Sequence, residues 1–172
     1  LISILSKRAG NVIFPPLILS IDEFMEKLLR WNGIQFSRLN GLDAVYILYR
    51  LLKEGKVIIN LPSPYAEFFE RFEEFIPWGF EILRTLEEMD EELVDEEGIK
   101  KLKNYLLTGT SYSELTSSES IAFALGDFLR GLHDEMERKR LFTRGYIYRK
   151  ASSLPVGNII KNMGFDLSLI HI

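Results

Sequence analysis

The sequence predicts a mainly α-helical chain with a small α/β remnant of short strands at its amino end. Three observations carry this. Beyond Ser20, apolar residues recur at steps of three and four, the helical period. Helix starts and stops are written into the chain as capping residues and glycines. The first twenty residues instead hold two short apolar runs, Leu1–Leu5 and Val12–Leu19, separated by the polar turn "SKRAG". The expected organisation is a strand-bearing remnant over residues 1–20 and a helical region over 21–153. A truncated continuation (154–166) and a six-residue tail (167–172) follow.

The elements follow in order. In "LSIDEF", Ser20 is an N-cap and Glu23 stands three residues on, which makes a capping box. Leu19 and Phe24 occupy the positions of a hydrophobic staple. The helix is expected over Ile21 to Trp31, stopping at Asn32-Gly33. A second helix is expected from about Leu42 to Glu54, with Val45, Leu48, Tyr49 and Leu52 on one face and Gly55 as its stop. Ser63 and Pro64 are set to open a third.

In "FFERFEEFIPWGFEILRTLEEMDEELVD", Phe68, Phe72, Phe75, Gly79, Ile82, Leu86, Met89 and Leu93 form one helical stripe. Phe69, Ile76 and Leu83 widen it. The acids fall mostly on the other faces and read as a solvated surface. Pro77 lacks a backbone donor and predicts a kink or restart. Trp78 and Gly79 read as a packing anchor at a close approach. A short helix is expected over Asp95–Thr108. Thr116 with Glu119 makes a second capping box for a helix running to about Arg140, burying Ile121, Leu125, Phe128, Leu132 and Met136. A turn at Gly145 and a last helix from about Tyr146 complete the pattern.

Composition bounds the function. The 172 residues are 47% hydrophobic and 27% charged, enough for one cored domain. The net charge of −4 excludes a uniformly basic nucleic-acid binder but leaves room for a local patch. The absence of cysteine removes disulfides, thiolate metal sites and a cysteine nucleophile, and it fits a reducing cytoplasm. No apolar run reaches membrane-spanning length. The chain begins at Leu1, and its last six residues, "LSLIHI", resemble a translated sequencing adapter. The expectation is therefore a piece of a longer protein, cut near Asp166.

No catalytic, cofactor-binding or metal-binding residues are expected. Asp43, Glu54 and Lys56 imitate the spacing of a metal-dependent nuclease. However, Asp43 opens a helix that Glu54 closes, and about ten helical residues hold them about 15 Å apart. His133 has no second histidine or cysteine beside it and reads as a surface or half-buried helix residue. No phosphate loop or nucleophile elbow occurs. Ser6, Lys7 and Arg8 follow a strand-like run, from which side chains can reach a phosphate backbone. Arg130, Arg138, Lys139, Arg140, Arg144, Arg149 and Lys150, interleaved with Phe142, Tyr146 and Tyr148, form a basic aromatic strip. It suits nucleic acid, or equally the acidic helices of the same chain.

Four stretches in order, "SKRAG", "FPPLILSIDEFMEKLL", "FERFEEFIPWGFEILRTLEEMDEELVD" and "LRGLHDEMERKRLFTRGYIYRKAS", resemble the amino-terminal part of the B subunit of bacterial helicase–nucleases of the AddAB/RexAB kind. More narrowly, they resemble PD-(D/E)XK nuclease family proteins with an inactivated superfamily I helicase region. The resemblance spans the chain to about Ser153. It implies double-strand-break repair and recombination, DNA as partner, a helicase–nuclease partner subunit and a cytoplasmic setting. The matching part would be the helical insertion of a helicase-like subdomain. Ser6, Lys7 and Arg8 would then touch DNA, with Arg144 and Arg149 as further contacts. Ser20, Glu23, Phe24, Pro77, Trp78, Gly79, Gly145 and Tyr148 would be structural signatures. The chain departs from the family pattern in lacking the phosphate-binding loop before "SKRAG" and in having Arg84-Thr85-Leu86 where relatives tend to carry an Asp-Phe-Asn-like run. The alternative is a stand-alone helical interaction module that docks through its acidic helix, and an enzyme of another type is the third reading.

Overall fold

The computed structural model of the chain describes residues 18–59, 69–106 and 117–154. These form six helices and a two-stranded parallel sheet, so the mainly helical class holds. The amino-terminal strand runs lie outside the described residues except for Ile18 and Leu19, which carry no strand. The Ser63-Pro64 start and Thr116 of the second capping box also lie outside them.

Helix α1, Ile21–Trp31, begins as the sequence dictates. The Ser20 hydroxyl accepts the Glu23 N–H at 3.2 Å, and the Glu23 carboxylate accepts the Ser20 N–H at 2.8 Å. Phe24 packs against the core and edge-on to Trp31. The helix ends where Gly33 takes a positive φ of 79°.

A two-residue strand follows, β1 (Ser37–Arg38), paired in parallel with β2 (Leu141–Phe142). The Ser37 and Leu39 N–H groups donate to the carbonyls of Arg140 and Phe142, both at 2.9 Å. Phe36 stacks on Phe142 at 5.1 Å. The short-strand component of the described fold is this pair, at positions the sequence pattern does not mark.

Helix α2, Gly41–Lys53, is capped by Asn40. Its buried face, Ala44, Val45, Ile47, Leu48 and Leu51, is wider than the expected stripe, because α3 covers one side and α5 the other. Helix α3, Phe72–Glu91, runs through Pro77 without the expected restart. The missing proline donor leaves the Glu73 carbonyl without its helical partner. Both residues are exposed, so water can take that place. Phe75, Gly79, Ile82, Leu83 and Leu86 are buried as their spacing requires. A Cβ on Gly79 would lie 2.4 Å from Val45 Cγ1, which marks the close crossing of α3 over α2.

Helices α4 (Glu96–Leu106) and α5 (Ser117–Lys139) pack on each other. Leu125, Phe128, Leu132 and Met136 are buried, while Ile121 is only half-buried. Helix α6, Arg144–Ser152, is capped by Thr143 and packs against α1 and α3. This corrects the expected turn at Gly145, which is the second residue of α6. It is glycine because the α3 backbone lies against it: a Cβ there would sit 2.6 Å from the Glu87 carbonyl oxygen.

Candidate functional site

The densest group of interacting charges lies where α3, α5 and α6 meet. Asp90 stands on the apolar register of α3, four residues beyond Leu86, and is 1% exposed. A carboxylate there needs partners. His133 Nε2, from α5, lies 2.9 and 3.1 Å from its two oxygens. Arg149 Nε, from α6, donates to Oδ1 at 2.6 Å. The Arg149 Nη2 also donates to the carbonyls of Met89 at 3.1 Å and Val94 at 2.7 Å. The Met89 carbonyl lies in the last turn of α3, which has no basic residue of its own, and the Val94 carbonyl lies just beyond the helix. Arg149 therefore supplies the positive charge that this helix end favours. Leu93, at a positive φ of 56°, turns the chain into the segment that carries the Val94 carbonyl.

The network extends over α6. The His133 ring lies 4.5 Å from that of Tyr146, and the Tyr146 hydroxyl donates to Glu137 at 2.7 Å. Lys150 and Arg140 also bridge to Glu137. Burial, with the Glu137 carboxylate next, pushes the Tyr146 phenol well above its ordinary value of 10.0, so it stays a neutral donor. Asp22 of α1 accepts from the Tyr148 hydroxyl at 2.5 Å and Arg144 Nε at 3.1 Å. These two bonds, Tyr148 first, hold its carboxyl below the usual range. Arg144 reaches Glu91 at 2.6 Å with its other face, tying α1, α3 and α6 together.

Glu87 sits beneath the start of α6, where the backbone N–H groups of Gly145 and Arg144 favour its charged form. Burial outweighs them and raises its carboxyl above the ordinary 4.5. A raised folded-state value means that Glu87 stabilises most when protonated, and that this contribution is lost as pH rises through the raised value. Glu87→Gln is therefore expected to match or exceed the parent in stability at pH 7, with any advantage vanishing by about pH 4, near the unfolded-state value. Denaturant unfolding of both proteins at the two pH values measures this. An advantage that grows on acidification would contradict it.

The structure brings some predicted residues together and separates others. Arg144, Arg149, Gly145 and Tyr148 converge on the α3–α6 joint, and Ser20 with Glu23 caps the helix that leads to it. Pro77, Trp78 and Gly79 lie farther back along α3, where Trp78 is half-buried near Phe69, with rings 6.2 Å apart. Ser6, Lys7 and Arg8 lie outside the described residues. Asp43 and Glu54 stand at opposite ends of α2, bound to Asn40 and to Arg50 with Lys56. The basic strip is engaged largely with acids of its own chain: Arg138 and Lys139 with Glu135, Arg140 and Lys150 with Glu137. Sequence reasoning missed Asp90 and Glu87. The available signal was an acid standing on the apolar stripe of α3, which demands a cation from another helix.

Among the described residues no group of three or more His, Asp or Glu side chains is placed to hold a metal ion, and no helix is long and apolar enough to cross a membrane. In comparisons with known proteins, no family model, curated protein or solved structure matches this chain.

Proposed function

We propose that the chain is a non-catalytic DNA-binding or scaffold portion of a cytoplasmic helicase–nuclease subunit of the AddB/RexB kind, acting in double-strand-break repair and recombination with a partner subunit. One observation carries the reading. Residues through which the sequence resembles that family stand at helix starts and helix joints. Ser20 and Glu23 cap α1, Gly79 seats α3 on α2, and Gly145, Tyr148 and Arg149 lock α6 to α3 and α1. A likeness concentrated in residues that set helix geometry favours a shared scaffold over shared composition.

The guanidinium of Arg149 is committed inside the fold and that of Arg144 bridges two carboxylates, so the proposed contact with DNA falls first to Ser6, Lys7 and Arg8. Lys7→Glu with Arg8→Glu is expected to weaken binding of a single-stranded oligonucleotide and to flatten log K against log salt by about 1.4, from about 0.7 per lost phosphate contact. Fluorescence anisotropy across a salt series measures it, and unchanged binding removes their role. Extending the reading frame in the source DNA tests the family. A phosphate-loop remnant upstream and a nuclease motif downstream are expected, whereas a complete short gene would sink the proposal.

The interaction-module reading has its own observation. Leu42 and Tyr46 of α2 and Phe80 of α3 are exposed, with the Phe80 ring lying against Gly41 of α2, and α3 also exposes Glu73, Glu74, Glu81 and Glu88. Arg71 and Arg84 of the same helix region already pair with those acids, which weakens the face as a lure for a basic partner.

A further inference from the structure

We propose that the groove between α4 and α5 is a second contact for single-stranded DNA, seating a backbone phosphate. This rests on the DNA-binding reading above. The groove is a recess of about 160 Å³ lined by Ile99, Lys100, Lys103, Gly126 and Arg130. Gly126 lets α5 approach so closely that a Cβ there would meet Ile99 Cγ2 at 2.4 Å, which sets an apolar floor. Three cations stand around that floor.

Their charge is only partly matched. Lys103 Nζ lies 3.4 Å from Asp127 Oδ2, and Arg130 bonds to Oδ1 of the same carboxylate. Lys100 forms no ion pair among the described residues. Among the described side chains one carboxylate, Asp127, is bonded to two of these three cations, in a chain whose net charge is −4. Asp127 holds Lys103 and Arg130 in place without neutralising both. Lys103 Nζ also lies 4.8 Å over the Phe123 ring, a second partner for its charge. An apolar floor with surplus positive charge at its rim complements a sugar–phosphate unit, with the sugar on Ile99 and the phosphate between Lys100 and Arg130.

The test is oligothymidylate binding by the whole chain, read by anisotropy over a salt series. Lys100→Glu with Arg130→Glu leaves Lys103 on Asp127. It is compared with Lys53→Glu plus Arg84→Glu, an equal charge change at sites on α2 and α3 outside the groove lining. The groove pair is expected to weaken binding at least about tenfold and to flatten the salt slope by about 0.7, the value for one lost phosphate contact, with the control pair changing the slope far less. Circular dichroism spectra and melting curves superposing on the parent's show that the fold is kept. Should the groove pair melt earlier, the neutral Lys100→Gln with Arg130→Gln replaces it, with the same slope change expected. Equal losses in groove and control pairs would overturn the site and leave the DNA-binding reading standing. Preferential competition by polyglutamate would also overturn it, since an acidic peptide would then be the occupant. No oligonucleotide binding by the parent chain would overturn the DNA-binding reading and this site together, whereas a loss with Lys7 and Arg8 alone would overturn only the groove.

Discussion

Asp90→Asn is expected to destabilise the protein by about 3 kcal/mol, the lower end of the cost of breaking a buried ion pair by removing one partner. The lower end applies because His133 and Arg149 are 21% and 23% exposed, so solvent screens part of the loss. The asparagine amide keeps the shape but not the charge. Its oxygen can accept from Arg149, but its NH2 finds a partner only if His133 is neutral with Nε2 free to accept. Arg149 would be left on the Met89 and Val94 carbonyls without a carboxylate to hold its plane. A melting temperature lower by about 6–12 °C follows for a domain of this size. Circular dichroism on heating measures it, and a shift within about 1 °C would show that the triad contributes nothing net. Replacing all three residues by apolar ones of similar volume is a different experiment, since it also removes the cost of desolvating the charges and can be close to neutral.

The same network shows what was legible beforehand. The Ser20 box, the stops at Gly33 and Gly55, and the buried stripe from Phe75 to Leu86 are local or periodic signals, and the structure keeps them. The wider burial of α2 was not legible, because Ala44, Ile47 and Leu51 are buried by two different neighbours and no single helical stripe predicts a second cover. The β1–β2 pair could not be read, since two-residue strands have no period and their partners are about a hundred residues apart. The basic aromatic strip had two readings on composition alone. Choosing between them for Arg144 and Arg149 required knowing that α6 returns to lie on α1 and α3. The Asp90–His133–Arg149 set is likewise tertiary: each residue is ordinary on its own helix, and only the crossing brings them together. That crossing is set in turn by Gly145.

Gly145→Ala is expected to destabilise by about 2 kcal/mol, although alanine by itself favours a helix over glycine by about 1 kcal/mol. The added Cβ would fall 2.6 Å from the Glu87 carbonyl oxygen and 2.9 Å from Glu87 Cα. These are backbone atoms of α3, so no rotamer change relieves them, and α6 must move away from α3. Gly79→Ala provides the contrast. Its Cβ would meet side-chain atoms, Val45 Cγ1 at 2.4 Å and Phe75 Cε1 at 2.9 Å. Val45→Ala should therefore recover part of the Gly79→Ala loss, whereas truncating a neighbouring side chain should recover little of the Gly145→Ala loss. Displacing α6 also pulls Arg149 from Asp90, so the two joints are energetically coupled. Gly145→Ala should cost less in an Asp90→Asn background than in the parent, by about 1 kcal/mol, within the range found for residues sharing one network. Chemical denaturation of the four proteins of this cycle measures the coupling. Strict additivity would mean that α6 absorbs the methyl group locally, without moving the arginine.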